Sequence, residues 1–521
     1  MGPARKTIPT YSPPKVSPFM FKKVLIANRG EIAVRIIRCL REMGIESVVV
    51  YSDPDRRSLA VLQAGEAVHL PGQTGQETYM DIDKVIAAAK STGAEAIHPG
   101  YGFLSENAAF AKRCTEEGLT FIGPHPLAIS KMGDKTTARE LMMAANVPVT
   151  PGFQNEKGSK EEARAAAIEI GFPIMIKASA GGGGKGMRFV KSASEFDSAY
   201  ELAASEARSA FGDDRIYLEK FIQNPRHIEV QVVCDKHGNG IHLGERECTI
   251  QRRHQKVIEE APSPVVTPEL RAKIGGIALQ AAKAVQYDSV GTIEFLMDAS
   301  ENVYFMEMNT RLQVEHPVTE WVTGLDLVRL QLQVAANQPL PISQDDVKLR
   351  GHALECRVYA EDPAKNFMPS PGLITSLATP SGLGVRDDSG VYEGFEVPIY
   401  YDPMISKLTT WAATRDEAIQ RMARALCEYK VGGIRTNLWF HRALMKHPEF
   451  LAAQFDTGFI DQHPELLKQS DATQLHDLAL VAAAIKHYQD QGADLGQARA
   501  STNESLWKRH ARLGGMQNRG F

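Results

Sequence analysis

The chain has few cysteines, and none lies close to another in a metal-binding spacing. Its 521 residues include six. Because no Cys-x-x-Cys occurs, the sequence indicates neither a cysteine zinc site nor a disulfide framework, and it is typical of a reducing compartment. We interpret Cys248 as structural. The six residues are Cys39, Cys114, Cys234, Cys248, Cys356 and Cys427.

Long apolar runs are also absent. No stretch approaches the roughly 20 apolar residues that a membrane-spanning helix needs. The 59 Lys and Arg residues against 63 Asp and Glu give a net charge of −4, which does not favour a nucleic-acid or membrane-surface protein. We therefore predict a cytoplasmic protein with no nucleic-acid partner and no membrane partner.

The first 19 residues lack the apolar core of a secretory signal. They contain five prolines and three basic residues. We predict a flexible N-terminal extension over residues 1–19, with organelle targeting as the alternative.

The first strand-to-helix turn lacks the dinucleotide fingerprint Gly-x-Gly-x-x-Gly, which counts against NAD binding there. An apolar strand at 23–27, a turn at 28–30, helical spacing over 31–43 and a strand at 47–51 predict a β-α-β unit. The N-terminal domain is therefore expected to be a parallel α/β layer.

The polar side chains that say most about function are concentrated in residues 307–315, Glu-Met-Asn-Thr-Arg-Leu-Gln-Val-Glu. In an extended chain successive side chains point to opposite faces, so one face would carry only polar groups. A straight strand would, however, separate Glu307 from Glu315 by about 26 Å, at roughly 3.3 Å per residue. We therefore predict that the strand ends near Asn309 and that the chain then bends.

A hairpin is predicted just before this bend. The stretches 292–297 and 303–308 are rich in β-formers, and a turn-like segment joins them. If the hairpin closes about 300–301, Glu294 lies opposite Glu307. Directly opposed like charges destabilise a sheet unless a cation lies between them.

The hairpin therefore predicts a metal site. Glu294, Glu307 and Asn309 offer only oxygen ligands, which suit Mg²⁺ or Mn²⁺ better than zinc. The alternative is a solvated pair of surface glutamates.

Residues 181–186 form a glycine-rich loop between two strand-like stretches, 173–177 and 187–190. The loop fails the P-loop pattern at two positions. Its glycines would let backbone amides close over phosphates, and Lys177 would reach an anionic group. A disordered surface turn is the alternative.

Two polar segments lie between the loop and the hairpin. In 226–231 alternation places three polar side chains on one face, and in 251–260 basic side chains crowd together before two glutamates. A lone histidine in the first segment would more often be structural. The second segment is either a solvated charged loop or an anion-binding platform in the same cleft as Glu294 and Glu307. Arg246 is ambiguous. The polar residues are His227, Glu229, Gln231, Gln251, Arg252, Arg253, His254, Lys256, Glu259 and Glu260.

Several long motifs resemble, in order, those of the biotin carboxylases, which are ATP-grasp enzymes. The first three are Lys-Ala-Ser before the glycine loop, Gln-Arg-Arg-His-Gln-Lys at 251–256 and Glu-Met-Asn-Thr-Arg-Leu-Gln-Val-Glu-His-Pro at 307–317. Matching stretches at 28–33, 98–107 and 351–363 extend the resemblance over about residues 20–467.

The resemblance implies an α/β fold, α+β overall. We expect a flexible extension at 1–19, an N-terminal parallel α/β domain at 20–134 and an ATP-grasp domain at 135–350 with a mobile lid at about 150–220. A C-terminal β-rich domain at 351–467 and a helical or flexible tail at 468–521 follow. Within the tail, 475–488 is predicted to be an amphipathic docking helix.

The implied activity is an enzyme that carboxylates the ureido nitrogen of protein-bound biotin with ATP and bicarbonate. ATP is expected with Mg²⁺ or Mn²⁺, as two ions held by Glu294, Glu307 and Asn309. The implied ATP-binding residues are Lys135, Lys177, Gly182, Gly183, Gly184, Glu219, Lys220, His227, Gln251 and His254.

Four positions match the bicarbonate pocket: Lys256, Arg311, Gln313 and the Val314 backbone. Glu315 matches the base that deprotonates bicarbonate, and Arg357 matches the residue that stabilises the biotin enolate. Arg311 would keep Glu315 ionised, while burial pushes the other way. The catalytic set is thus Glu315, Arg357, Lys256 and Arg311.

Biotin itself is expected on another chain. A biotinyl domain carries Ala-Met-Lys-Met, and the sequence here offers only Leu-Met-Lys-His at 444–447, in a helical context. The resemblance therefore implies a biotin carboxyl carrier protein, a carboxyltransferase subunit and a homodimer. Acetyl-CoA, propionyl-CoA and pyruvate remain open as the final acceptor.

Two other functions compete with this one. Another ATP-grasp ligase would join a carboxylate to an amine, but the motif at 307–317 and Arg357 argue against it. A catalytically silent nucleotide-binding scaffold would have lost some of the catalytic charges, and none is lost.

Overall fold

The N-terminal layer is the parallel sheet that the sequence predicts. The computed structural model describes residues 20–154, 159–178, 187–211, 216–253, 255–468 and 478–489. Val24, Leu25 and Ile26 are fully buried, as in parallel sheets covered on both faces. The strands, in sheet order, are Glu66–His69, Glu46–Tyr51, Lys23–Ile26, Ala96–His98 and Thr120–Phe121, all parallel. The helices are Gly30–Glu42, Leu59–Gln63, Ile82–Thr92, Ala108–Glu116 and Pro126–Gly133.

A second sheet has eight antiparallel strands and joins the middle of the chain to its C-terminal third. Helix Pro268–Ala284 packs the buried Ile274 and Ala278 against it. In sheet order the strands are Val303–Asn309, Val290–Met297, Arg226–Cys234, Gly240–Glu247, Ile258–Ala261, His352–Tyr359, Met404–Ala412 and Val385–Ser389. Further helices are Lys135–Ala144, His316–Thr323 and Leu327–Ala335.

A third sheet has four strands, in the order Gly152–Gln154, Ile216–Lys220, Ile174–Ala178 and Met187–Val190. The last two pair antiparallel, so the glycine-rich segment joins two strands, as predicted. The segment itself, with Gly182, Gly183 and Gly184, lies outside the described residues. The accompanying helices are Lys160–Ile170 and Phe196–Phe211.

The remaining elements are short. Strand pairs join Gln251–Arg252 to Gln255–Lys256, Glu361–Asp362 to Met368–Pro369, Gly372–Leu373 to Glu396–Val397, and Ser376–Ala378 to Lys430–Gly432. The helices are Arg415–Glu428, Leu438–Leu444, Pro448–Leu451 and Phe459–Gln462, with 3-10 turns at Gln344–Asp346, Pro363–Lys365 and Pro464–Leu467.

A separate unit follows Leu466. Its described part, 478–489, is helical, as predicted, and its apolar side chains are exposed, including Leu478 and Ile485. The docking role of this helix stays a prediction. In the part of the chain that is described, no helix has the length and apolar character needed to cross a membrane.

Leu40 tests the packing of the N-terminal layer. It is fully buried in the first helix, whereas Leu383 is 83% exposed. Leu40→Ala removes buried methyl groups and leaves a cavity, so we expect it to lower the free energy of unfolding by about 2.7–5 kcal/mol. Denaturant unfolding measures the change, with Leu383→Ala as the matched control at about 0.5 kcal/mol or less. Equal denaturant midpoints for the two variants would contradict the packing described.

Candidate active site

Four charged side chains form a row across four neighbouring strands. Glu307 pairs with Glu294, Glu294 with Glu229, and Glu229 with Arg246. Three carboxylates therefore stand side by side, with a guanidinium at one end. Since like charges directly opposite each other destabilise a sheet, the row requires further positive charge.

The predicted pairing of Glu294 with Glu307 is confirmed, although the hairpin reaches it through an irregularity. Near the turn Phe295 pairs with Phe305, which is one residue out of that register. A β-bulge at Met306, whose side chain is exposed, takes up the extra residue and restores the pairing of the two glutamates.

Lys256 supplies a second cation above the row. Its Nζ donates to Glu294 Oε1 at 2.8 Å and to Glu315 Oε1 at 2.6 Å, and it also contacts Glu229. Burial would lower its pKa, but the carboxylates of Glu229, Glu294 and Glu315 raise that pKa well above its ordinary value. The lysine is therefore charged and holds three mutually repelling carboxylates together.

Arg246 anchors the row from inside the protein. It is fully buried, and each of its five N–H groups donates to a different side chain, as a buried guanidinium requires. The sequence left its role open, and the only signal was its place in an alternating charged segment. The acceptors are Glu229, Gln231 at 2.7 Å, Thr292 at 3.1 Å, Gln313 at 2.7 Å and Thr319 at 2.9 Å.

The strand ends where the sequence predicts, and the chain bends before the next helix begins at His316. The bend returns Glu315 to the row, where it accepts from Lys256 and, at 3.0 Å, from Arg357 Nη2. Burial alone would raise the pKa of Glu315, but Lys256, Arg357 and Arg246 lower it well below its usual range. Glu315 is therefore ionised at neutral pH.

Arg311 is turned towards other partners than Glu315. Its Nε donates to Glu106 Oε2 at 2.8 Å, and its Nη2 donates to Asn309 Oδ1 at 2.7 Å. Of the charged groups, Lys256, Arg357 and Arg246 have the largest effects on the pKa of Glu315, and Arg311, whose guanidinium is held by Glu106, also attracts Glu315. Glu106 lies in the motif at 98–107 but was not expected to have a role of its own.

The two carboxylates farthest from Arg246 in the row, Glu307 and Glu294, differ in pKa. Burial and the neighbouring Glu294 raise the pKa of Glu307. Burial also opposes ionisation of Glu294, but Lys256 and His227 outweigh it and lower the pKa of Glu294. Glu307 is thus the carboxylate for which the attraction of the nearby lysines, Lys135 and Lys256, does not outweigh burial and repulsion.

Glu307 also lines a cavity of about 210 Å³, together with Lys135, Asn309 and Glu106. Asn309 Nδ2 donates to Glu294 Oε1 at 2.8 Å, so the amide lies against the row. This end of the row combines oxygen ligands, space and a shortage of positive charge, and it fits a hard divalent cation.

Two of the predicted nucleotide contacts join the row. His227 Nε2 lies 2.9 Å from Glu294 Oε2, and Gln251 Nε2 lies 2.9 Å from His227 Nδ1. His254, predicted beside them, lies outside the described residues.

Three other predicted nucleotide contacts lie on the four-stranded sheet. Lys177 and Glu219 form an ion pair between adjacent strands. Lys220 Nζ donates to the carbonyl oxygens of Gly171, at 2.8 Å, and Phe172, at 3.1 Å. They form a second polar cluster, carried by different elements from the row.

The remaining predicted positions are fixed by contacts that the sequence did not indicate. Gln313 Nε2 donates to Glu294 Oε1 at 2.6 Å. The Val314 carbonyl accepts from Lys407 Nζ at 2.7 Å, and that fully buried lysine also pairs with Glu31 at 3.3 Å. The available signal for Lys407 was that it is the single charged residue in its strand, Met404–Ala412.

Three family descriptions match the chain. "Biotin carboxylase, N-terminal domain" matches residues 20–129, "Carbamoyl-phosphate synthase L chain, ATP binding domain" matches 134–343, and "Biotin carboxylase C-terminal domain" matches 355–462. Together they cover most of the described residues.

Curated relatives agree with these matches. The chain is 52% identical over 445 residues to biotin carboxylase 1 of Bacillus subtilis, covering 85% of this chain and 99% of that protein. It is 52% identical over 452 residues to the mitochondrial methylcrotonoyl-CoA carboxylase subunit alpha of Mus musculus, covering 87% of this chain. The chain spans only 63% of the length of that mouse subunit.

Solved structures agree as well. The biotin carboxylase domain dimer of the Hydrogenobacter thermophilus 2-oxoglutarate carboxylase, in complex with MgADP, ADP and bicarbonate, has a TM-score of 0.80 at 46% identity, covering 87% of this chain and 99% of that one. The biotin carboxylase of Campylobacter jejuni, in a β,γ-ATP complex, has a TM-score of 0.79 at 47% identity, covering 85% and 99%. The chain therefore belongs to the biotin carboxylase family of ATP-dependent ligases.

Proposed function

We propose that this chain uses the charged row to carboxylate biotin on a separate carrier protein, with ATP and bicarbonate as substrates. ATP-dependent carboxylation of biotin is the first half-reaction of the biotin-dependent carboxylases. The observation that carries the proposal is Lys256, whose ammonium contacts the proposed metal ligand Glu294 and the proposed base Glu315 at the same time.

At one end of the row Glu294, Glu307 and Asn309 would hold Mg²⁺ or Mn²⁺. The bound metal would neutralise phosphate charge during phosphoryl transfer, which depends mainly on positioning and charge neutralisation. The raised pKa of Glu307 supports this assignment, because it marks a carboxylate whose negative charge is not yet balanced. Lys135 lines the same cavity and would contact the nucleotide phosphates.

The nucleotide would contact the two polar clusters. His227 and Gln251 supply the ribose and phosphate side of the site. Lys177, Glu219 and Lys220 supply the phosphate and adenine side. Gly182, Gly183, Gly184 and His254 complete the proposed ATP-binding set.

Beside the row, Lys256, Arg311, Gln313 and the Val314 backbone would bind bicarbonate. Glu315 would accept its proton. Bicarbonate beside Lys256 would share the positive charge that now lowers the pKa of Glu315, so that pKa would rise as the substrate binds. The proton affinity of Glu315 would thus increase when bicarbonate, the proton donor, is bound.

The deprotonated bicarbonate would attack the γ-phosphate, giving carboxyphosphate and ADP. Carboxyphosphate would break down to carbon dioxide and phosphate, and the phosphate would take the ureido proton of biotin. Arg357, which keeps its charge and offers a fixed set of donors, would stabilise the resulting biotin enolate until it attacks carbon dioxide. Exclusion of water protects the intermediate from hydrolysis.

We propose a homodimer that works with a biotin carboxyl carrier protein and a carboxyltransferase subunit. The carboxyltransferase would determine whether acetyl-CoA, propionyl-CoA or pyruvate is the final acceptor. Capture of the biotinylated partner on streptavidin, followed by assay of the complex with each acceptor, distinguishes these outcomes.

Glu315→Gln tests the proposed base. The purified chain should hydrolyse ATP in a bicarbonate-dependent reaction that free biotin stimulates. Loss of a general base costs about 10²–10⁴-fold, so we expect the stimulated rate of the variant to fall by that factor while ATP binding persists. Phosphate release measures the rate and calorimetry measures nucleotide binding.

The control for this variant is Glu428→Gln, which changes an exposed glutamate paired with Arg424 on the same helix. It should keep the wild-type rate. Loss of ATP binding in Glu315→Gln would contradict the base assignment, and an unstimulated wild-type chain would contradict the proposed reaction.

Glu307→Gln tests the proposed metal site. The change removes the charge of one ligand without changing its size, so we expect the Mg²⁺ concentration for half-maximal activity to rise. The rise should be at least about 10–100-fold, which is the loss of metal affinity when a residue that only hydrogen-bonds to a metal ligand is changed. The matched control is Glu301→Gln, an exposed glutamate near the turn of the same hairpin. An equal Mg²⁺ requirement in the two variants would place the metal elsewhere.

A further inference from the structure

The sequence contains the tripeptide His-Pro-Glu twice near the end of the first unit, at 447–449 and 463–465. In both copies the proline begins a short helical turn, Pro448–Leu451 in one and Pro464–Leu467 in the other. Proline suits this position because its φ is already helical. Each copy therefore sets a histidine just before a turn and a glutamate within it.

The two copies lie against each other. The imidazole rings of His447 and His463 have centroids 4.3 Å apart. His463 Nδ1 lies 2.9 Å from Glu465 Oε1, and His447 Nε2 lies 3.6 Å from the same oxygen. In a tetrahedral site with metal–ligand bonds of about 2.0–2.1 Å, the ligand atoms lie about 3.3 Å apart, and the two measured distances fall on either side of that value.

A fourth residue completes the arrangement. His463 Nε2, on the far side of the ring, lies 3.2 Å from Glu449 Oε2. A metal-bound histidine almost always has a partner such as a carboxylate on its second nitrogen, which fixes the orientation of the ring. His447 Nδ1 is buried without a hydrogen-bond partner among the described residues, so His447 would bind through Nε2, with no orienting partner on its second nitrogen.

We propose that His447, His463 and Glu465 form a zinc site, with Glu449 orienting His463. Two imidazoles and one carboxylate form a ligand set that zinc accepts, with water in the fourth position. Glu465 is largely exposed, so the ion can enter from solvent. The site differs in chemistry from the row around Glu294 and Glu307, and it would fasten the two His-Pro-Glu segments together.

Zinc titration of the chelator-treated full chain tests the proposal. By calorimetry in Mg²⁺-containing buffer, the wild type should bind one equivalent of zinc more than either Glu465→Gln or His463→Gln. Both substitutions leave the carboxylate row intact, so zinc bound there is common to all the proteins. Glu465→Gln changes an exposed side chain and therefore keeps the test valid if a histidine variant fails to fold.

Two further variants sharpen the result. Glu449→Gln should keep the extra equivalent but bind it about 10–100-fold more weakly, as expected for an orienting partner. His69→Gln is a control that breaks the pair of His69 with Asp53. This pair belongs to none of the three-residue metal-ligating groups among the described residues, so the variant should bind zinc as the wild type does.

Thermal stability supplies an independent readout. Zinc that binds only the folded state should raise the unfolding temperature of the wild type and not that of Glu465→Gln. Equal zinc stoichiometry and affinity in the wild type, Glu465→Gln and His463→Gln would overturn the proposal and leave the cluster as ordinary ion pairs.

Discussion

Three carboxylates stand side by side on one face of the antiparallel sheet, and the rest of the site depends on how their repulsion is neutralised. Arg246 closes one end of the row, and Lys256 lies across it. Arg357, from another strand of the same sheet, holds Glu315. Neutralisation therefore ties together segments that are far apart in the chain.

The charges around the row do not balance. Five carboxyl groups, those of Glu229, Glu259, Glu294, Glu307 and Glu315, lie among three cations that form ion pairs with them, Lys256, Arg246 and Arg357. Lys135 attracts Glu307 as a fourth cation, and Arg311 is paired with a further carboxylate, Glu106. Two of the five show the shortage in their pKa. Burial and Glu294 raise the pKa of Glu307. Burial, opposed by Arg357, raises the pKa of Glu259 to about 7. A divalent cation beside Glu307 would supply the missing charge, so the electrostatics of the row and the proposed metal chemistry agree.

The same shortage of positive charge would allow Lys256 to exchange its carboxylate partners for bicarbonate. Lys256 now holds carboxylates, but a metal at Glu294 would take over part of that task. The ammonium would then be available to an anion such as bicarbonate. The metal cation and the bicarbonate anion would thus favour each other's binding. The metal would reduce the demand of the carboxylates for Lys256, and bicarbonate would use the lysine that this releases.

The local parts of this site could be predicted from the sequence. Alternation and turn composition placed Glu294 opposite Glu307, and the length of an extended chain required the bend that returns Glu315. The pairing and the bend both depend on residues that are close together in the sequence. The β-bulge at Met306 was not predicted, because nothing in the local composition distinguishes it from a regular strand position.

The contacts between distant segments could not be predicted in this way. Lys256 meets Glu229, Glu294 and Glu315 only once three strands and the bend are assembled. Arg311 turns to Glu106, which comes from the N-terminal layer. Periodicity indicates which face a side chain lies on, but not which of several opposite charges it will contact.

The most direct test of the account is a crystal structure of this chain with Mg²⁺, a non-hydrolysable ATP analogue and bicarbonate. The account predicts the metal between Glu294 and Glu307 and bicarbonate within hydrogen-bond distance of Lys256 Nζ and Glu315. Bicarbonate bound away from Lys256, with the lysine still holding Glu229, Glu294 and Glu315 as it does here, would contradict it.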